Sequence, residues 1–380
     1  MNDLQIGFEY KLVDLADMQL DIVNYTTRHS KSTTFPGGKM VKSIIIDGET
    51  ITPTGRFWES LFSKYGLNTS FFKFFKFNEV FTRLSERGLG KVRVCIERGS
   101  AGSKLLAITG LNKPVIIYDD LMEILDQLNL QSPIKYDNGI ISSTHAPARE
   151  FSPFDINGDA FSNQFVMHAP VDGYGSPNIY LSLLRQICSN GAVGFANCFK
   201  TSLALGTGSD SIRFTLKRAL DSFNNEEGYA QLRDRFQVSM NSWASVNEHQ
   251  DLYRLLLKVQ GDSKLQEDAP NIAAFDSKDL ACSPGNALLQ SYRRTVGDPF
   301  EQYKVTDQNT LSVKKQRALP IRSKVYSLLN YATELSTHHL SEHSSRIIQG
   351  WVGEMLSNDF DLENSCDTYD NWQDIFLGKK

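Results

Sequence analysis

The spacing of apolar residues changes from strand-like to helical near residue 208, and this change constrains the fold more than any other feature. Before it, β-rich runs such as Val92 to Glu97 and Gln164 to Ala169 are separated by glycine and proline turns, which is typical of strands. After it, apolar residues recur three and four positions apart, as in amphipathic helices. We therefore predict an α+β fold, with an antiparallel sheet of about five or six strands in residues 41–208, covered by helices, and a helical region in residues 209–357 that packs on it.

Local signals place single elements within this fold class. Thr54 can cap the first turn of a helix, and Gly66 can end that helix in the left-handed conformation. Three further elements are predicted from the spacing of apolar residues: a strand over Val115 to Tyr118, a helix over Asn178 to Ser189 and a helix over Ile321 to Leu340.

The two ends of the chain depart from both patterns. Residues 1–40 are polar and weakly periodic, so we predict an N-terminal arm. Residues 358–380 hold six acidic residues and two lysines, a net charge of −4, interleaved with aromatic side chains. This composition is typical of a solvated acidic tail. The alternative is a docking peptide for a protein partner, similar in style to the acidic tails of single-strand DNA-binding proteins.

The overall charge balance excludes some classes of protein. The 380 residues include 40 Lys and Arg against 44 Asp and Glu, and 41% of them are hydrophobic, which excludes a globally basic nucleic-acid protein and disorder throughout the chain. The five Cys form no Cys-x-x-Cys pair, and no charged-then-apolar leader opens the sequence. No apolar run approaches the roughly 20 residues that cross a bilayer. We predict a reduced cytoplasmic protein without a membrane partner.

One segment departs strongly from that balance. Residues Arg56 to Lys104 hold ten basic and four acidic side chains, a net charge of +6, and include Phe71-Phe72-Lys73-Phe74-Phe75-Lys76-Phe77. Single-stranded nucleic acid needs aromatic faces on which bases stack and cations along the phosphate path. The residues predicted to bind it are Lys64, Phe72, Lys73, Lys76, Arg83, Arg87, Lys91 and Arg93. Alternatively, phenylalanines at helical spacing pack into the core while the lysines face solvent.

Three segments carry a resemblance to a known family. They are Val92 to Leu121, then Pro170-Val171-Asp172-Gly173-Tyr174-Gly175 leading to Leu183-Leu184-Arg185-Gln186-Ile187-Cys188-Ser189-Asn190-Gly191, and finally Val325 to His338. In this order they resemble the phage and plasmid-like family of domain of unknown function 932. The matching motif residues are Arg185, Cys188, Asn190, Gly191, Asn330 and Glu334. The resemblance spans most of residues 50–345 and implies a phage or mobile-element context, without a catalytic mechanism.

The motif residues also have structural explanations. Asn190-Gly191 after an apolar helix is typical of a left-handed C-terminal cap, with Cys188 as a small buried hydrophobe. The alternative is that Cys188 is a thiol nucleophile. Asn330 and Glu334 lie four positions apart on one helical face, which suits a structural hydrogen bond as well as it suits a binding site.

Histidines and glycines give weaker signals. His339 and His343, beside His338, have the i, i+4 spacing of two metal ligands on a helix, but a cationic helix end is the simpler explanation, so no metal is predicted. The loop Leu205 to Asp210 joins a strand to a helix without the third glycine of the dinucleotide fingerprint, which leaves a nucleotide site as an alternative. We predict no cofactor.

Together these patterns favour a non-enzymatic function. We predict a phage or plasmid-encoded protein of the host-cell cytoplasm that binds single-stranded nucleic acid without sequence preference, in recombination, annealing or replication. A virion component or an antagonist of host defence is the first alternative. An enzyme that uses Cys188 or the three histidines is the second. Self-association into a homo-oligomer stays open.

Overall fold

In the computed structural model the chain forms two compact units, each made of segments that are separate in sequence. The first unit comprises residues 1–145, 167–178 and 202–222, and the second comprises residues 146–166, 179–201 and 223–380. The units interleave along the chain, whereas the predicted domains follow one another across residue 208. The structure describes residues 6–24, 35, 39–100, 102–128, 130–149, 154–156, 158–185, 190–193, 199–267, 284–297 and 320–357.

A six-stranded sheet forms the centre of the first unit. Its strands are β1 Gly7–Asp14, β2 Gln19–Asn24, β3 Lys39–Ile46, β4 Glu49–Pro53, β5 Lys91–Gly99 and β6 Gly102–Thr109. They are ordered β1-β5-β6-β4-β3-β2. Neighbouring strands are antiparallel except β4 and β6, which run parallel. With the helices below, this sheet confirms the predicted α+β class.

The helices of the first unit are α1 Gly55–Tyr65, α2 Phe77–Glu86, α3 Tyr118–Asp126 and α4 Ser209–Ser222, and two short strands, β7 Lys135–Asp137 and β8 Ile140–His145, pair with each other. Helix α1 has the predicted ends, because the Thr54 hydroxyl accepts from the Phe57 N–H at 3.2 Å and Gly66 has a φ of 65°. The buried face of α1, with Phe57 and Leu61, belongs to the same apolar core as the sheet.

The predicted N-terminal arm is wrong for residues 7–14 and 19–24, which form strands β1 and β2 at the two edges of the sheet. An edge strand leaves one row of backbone groups unpaired and can carry polar side chains. Most of β1 is only half-buried, and charged Glu9 and Lys11 alternate with apolar neighbours. This dilution of the apolar pattern explains why the sequence reads as polar and irregular.

The predicted strand over Val115 to Tyr118 is also wrong, because Tyr118 begins α3 and the preceding residues are irregular. Val115 and Ile116 are nevertheless buried, which explains their apolar character. Pro114 beside them lacks the N–H that a sheet ladder would use.

The second unit combines short strands with most of the helices. Its strands are β9 Phe154–Ile156, β10 Asp159–Pro170, β11 Asn178–Arg185, β12 Asn190–Val193, β13 Lys200–Ser202, β14 Trp243–Ser245 and β15 Pro320–Lys324. Strand β11 lies between β10 and β12, β9 pairs with β10, and β14 pairs with β15. Strand β10 begins in the second unit and ends in the first.

The helices of the second unit include α5 Glu226–Ser239, α6 Val246–Val259, α7 Pro284–Val296, α8 Val325–Glu334 and α9 Glu342–Ser357. Between α8 and α9 the chain makes one π-helical turn, Leu335–His339. The predicted helix over Ile321 to Leu340 is therefore interrupted at both ends, by β15 and by the π turn. No helix among the described ranges is long and apolar enough to cross a bilayer.

The predicted helix over Asn178 to Ser189 is wrong, since Asn178–Arg185 is a strand. Ile179, Leu181 and Leu183 are all buried and recur every second residue, which is the period of a strand. Ile179 and Leu183, four positions apart, also fit helical spacing, so pairing with β10 and β12 decides between strand and helix.

Candidate nucleic-acid interface

The connection between α1 and α2 presents the aromatic residues of the predicted binding segment. Gly66 ends α1, and the Asn68 side-chain oxygen then accepts from the Phe71 N–H at 3.3 Å. This contact caps a 3₁₀ turn over Thr69–Lys73. Because α2 begins at Phe77, the Phe71–Lys76 stretch runs from the capped 3₁₀ turn to the first residue of α2.

Phe72 faces the core rather than solvent, so its prediction as a base-stacking residue is wrong. Only 8% of it is exposed. Its ring stacks on the Phe77 ring with centroids 4.2 Å apart and meets the Phe35 ring edge-on at 5.5 Å. The alternative explanation, that a phenylalanine of this run packs inside, applies to Phe72.

Phe74 and Phe75 face the other way. Phe74 is 81% exposed and Phe75 is 37% exposed. The Phe75 ring stacks on Phe71, with centroids 4.7 Å apart and planes at 23°, and Phe71 packs against the core. Large apolar side chains usually avoid this degree of exposure. An exposed phenylalanine ring beside a second ring that packs on the core therefore indicates a binding surface.

Lysines flank these rings in the sequence. Lys73 and Lys76 are both exposed. Between Glu59 and Glu79 the sequence contains three lysines and no carboxylate. We name the group Phe71, Lys73, Phe74, Phe75 and Lys76 the aromatic tip. It offers ring faces and positive charge on one short segment of backbone.

The outer face of α2 is different, because its charges balance. Arg83 donates to Glu79 at 2.9 Å, one helical turn away, and Glu86 and Arg87 follow on the same exposed stretch. Exposed pairs of this kind contribute only about 0–1 kcal/mol and leave little net field. Arg83 and Arg87 are therefore weaker candidates for phosphate contacts than the lysines of the aromatic tip.

The remaining predicted residues are spread along the unit. Lys64 lies in the last turn of α1 with its ammonium 5.4 Å from the Tyr65 ring centroid. Lys91 begins β5, opposite Asp14 of β1. Arg93 donates to the backbone carbonyls of Leu111 and Lys113 at 2.7 and 3.0 Å. Its guanidinium thus holds a loop.

That loop borders a groove of about 390 Å³. Thr207, Gly208 and Ser209 at the start of α4 line the groove together with Arg93 and Lys113. The loop Leu205 to Asp210, which the sequence leaves open as a nucleotide site, thus lies close to two basic residues. Leu111 and Ile117 on the rim are apolar and partly exposed.

Three other basic residues of the +6 segment are neutralised within the first unit. Arg56 pairs with Asp172, Arg98 pairs with Glu9 and Glu49, and Lys104 pairs with Glu97 at 2.8 Å. The hydrogen bond and charge of Arg98 hold the pKa of the Glu9 carboxyl below its usual value despite partial burial. These three basic residues are therefore less available to a ligand than Lys73 and Lys76 of the aromatic tip.

The motif residues of the resemblance lie in the second unit. Arg185 and Asn190 are partners across the β11–β12 pair, and Leu184 is opposite Gly191. Asn190 and Gly191 thus belong to a strand and do not cap a helix. Cys188 lies outside the described residues, as does the acidic tail, residues 358–380.

Asn330 and Glu334 lie on α8, and the Asn330 carbonyl accepts from the Thr333 hydroxyl at 3.0 Å. Glu334 and His339 line one small cavity, whereas His338 is exposed. Within the described part of the chain, no group of three or more His, Cys, Asp or Glu residues is placed to hold a metal ion.

The residues predicted to bind nucleic acid do not include Phe74 and Phe75, the two most exposed rings of the run. A signal for them was present, because Phe74 and Phe75 lie directly between Lys73 and Lys76. The 3₁₀ turn determines which rings point outward, and the spacing of the phenylalanines in the sequence does not predict this.

Comparisons with protein-family models, with curated proteins and with solved structures give no match for this chain. The resemblance to the family of domain of unknown function 932 stays a prediction.

Proposed function

We propose that the protein binds single-stranded nucleic acid, without sequence preference, through the aromatic tip. The observation that carries this proposal is the 81% exposure of Phe74 between two exposed lysines. A ring in this setting offers both edges and at least one face to a ligand. Every nucleobase has a π-face, so stacking on such a ring tolerates any sequence.

The energetic terms favour single strands over duplexes. Base–aromatic stacking contributes about 1–3 kcal/mol per base, but only when the base is free to leave its neighbours. In a duplex the bases stack on one another, and only the phosphates would meet Lys73 and Lys76. The lysines supply a salt-dependent attraction because phosphate contacts release counterions.

The biological setting is a separate part of the proposal. The resemblance supports a phage or plasmid origin, and a sequence-independent single-strand binder suits recombination, annealing or replication of such an element. The exposed phenylalanines also support a second candidate, a docking surface for a protein of the virion or of host defence.

The test measures binding of labelled oligodeoxythymidine by fluorescence anisotropy, with a duplex of equal length for comparison. We expect Phe74→Ala to weaken single-strand binding by about 5-fold or more, the equivalent of losing one stacked base. Lys73→Glu with Lys76→Glu is expected to weaken binding of all sequences alike and to flatten its salt dependence.

Matched controls come from the same unit. Phe214 of α4 is 66% exposed, and Lys42 of β3 is exposed, and neither belongs to the aromatic tip. Phe214→Ala and Lys42→Glu should leave binding unchanged. Equal binding by wild type and both aromatic-tip variants would exclude this surface, and absence of binding to any oligonucleotide would favour the protein-docking candidate.

A further inference from the structure

A cavity of about 140 Å³ lies between α7 and α8 in the second unit. Ser291, Arg294 and Thr295 of α7 have i, i+3, i+4 spacing and form one wall. Tyr331 and Glu334 of α8, with Leu335 at the start of the π turn, have the same spacing and form the opposite wall. Two helix faces with this spacing usually meet through apolar side chains. Both helices do contribute to one apolar core, but around this cavity most of the lining side chains are polar.

The π turn adds His339 to the lining. In an α-helix, residues five apart point about 140° away from each other, so His339 would turn away from Glu334. A π turn pairs residues i and i+5 and brings them to nearly the same side. The interruption of the helix thus builds part of the cavity, and π turns of this kind are often found at binding sites.

The cavity has a deep end and a mouth. Tyr331 and Leu335 are buried, and the Tyr331 hydroxyl donates to the Leu288 carbonyl at 3.1 Å, which fixes its ring. Burial raises the pKa of Tyr331, so the hydroxyl stays protonated. Glu334 is half-buried and Arg294 is exposed. The negative charge therefore lies further inside than the positive charge.

The charged side chains that line the cavity, and its volume, indicate which ligand fits. Polar groups turned toward a concave space stabilise a ligand that matches them and disfavour an apolar one. A carboxylate on one wall and a guanidinium on the other match a molecule that carries both charges. A cavity of about 150 Å³ accommodates a molecule of about six heavy atoms, the size of benzene.

We propose that this cavity binds a small zwitterion, namely an α-amino acid with a side chain about the size of that of alanine or serine. The ammonium group of the ligand lies at Glu334 and its carboxylate at Arg294. The exposed Thr295 hydroxyl supplies a further hydrogen bond near the mouth, whereas the Ser291 side chain hydrogen-bonds Tyr331 further inside.

The experiment is isothermal titration calorimetry on the full chain with L-alanine, acetate, methylamine and inorganic phosphate as separate probes. L-Alanine is expected to bind saturably at millimolar concentration. Acetate can pair only with Arg294, and methylamine can pair only with Glu334. Each should therefore bind at least ~10-fold more weakly than L-alanine, as expected for loss of one charged hydrogen bond.

Variants test the two walls separately. Arg294→Gln and Glu334→Gln should each weaken L-alanine binding at least ~10-fold. Arg293 is the neighbouring residue and does not line the cavity, so Arg293→Gln should leave L-alanine binding unchanged. The proposal is overturned if wild type does not bind L-alanine, or if acetate or phosphate binds as tightly. The wild-type data decide this even if a variant folds poorly.

Discussion

The Arg56 guanidinium donates to both carboxylate oxygens of Asp172, which lies 116 residues further along the chain. The same guanidinium donates to the Tyr174 carbonyl, and the Asp172 carboxylate also accepts from the Tyr174 N–H at 2.9 Å. Burial raises the pKa of the Asp172 carboxyl, while the Arg56 guanidinium opposes this shift. The segment Pro170 to Gly175 is thus held in place by a helix from another part of the first unit.

Removing one partner of this pair should strongly destabilise the first unit. Arg56→Met leaves a buried carboxylate without its counter-charge, and we expect a loss of about 3–5 kcal/mol in the free energy of unfolding. Arg56→Met with Asp172→Leu should cost less than Arg56→Met alone, because no buried charge remains. Urea denaturation of the three proteins measures this. A double variant less stable than the single one would contradict it.

Gly173 is predicted to tolerate no side chain. Its φ is +76°, and a Cβ would lie 2.9 Å from Val115 Cγ2. Gly173→Ala should combine left-handed strain, about 1–2 kcal/mol, with overpacking of about 1–3 kcal/mol. Gly48 has a φ of +80° but nothing within 4 Å of a Cβ, so Gly48→Ala should cost the strain alone. Equal thermal destabilisation by the two substitutions would argue against the contact with Val115.

The second unit should lose stability as the pH is lowered, because it contains the buried side chain of His249. Burial lowers the pKa of His249 to about 3, and its Nδ1 lies 2.5 Å from the Tyr292 hydroxyl. The unfolded chain takes up a proton near pH 6.5, whereas the folded chain does not until about pH 3. Each unit of pH below about 6.5 therefore removes about 1.4 kcal/mol of stability. His249→Gln should show a shallower decline between pH 6.5 and 4.5 in urea titrations. An unchanged slope would mean that His249 is protonated in the folded state.

Phe72 and Phe74 should separate stability from binding. Phe72→Ala empties a site in the aromatic core and should cost about 3–5 kcal/mol. Phe74→Ala removes an exposed ring and should change stability by less than about 0.5 kcal/mol. Chemical denaturation, alongside the anisotropy measurements, distinguishes the two effects. A large stability loss from Phe74→Ala would mean that the ring is structural.

The sequence predicts elements whose signals are local and fails where distant pairing decides. Helix α1 is correct at both ends because Thr54 and Gly66 are adjacent to the residues they cap. Strand β11 is missed because its apolar residues fit two periods, and only its partner strands choose between them. At the aromatic tip, composition indicates a basic, phenylalanine-rich segment but not which rings face outward, since the turn at Asn68 sets their direction.

The interleaving of the two units has a consequence for synthesis of the chain. The last segment of the first unit ends at Ser222, and every helix from α5 onward comes later. On the ribosome, all the residues of the first unit are available before the helical part of the second is translated. Strands β9, β11 and β12 and the first part of β10, by contrast, emerge early and must wait for their helices. During that interval their apolar faces are exposed, which makes translation of residues 223–357 the period most open to aggregation.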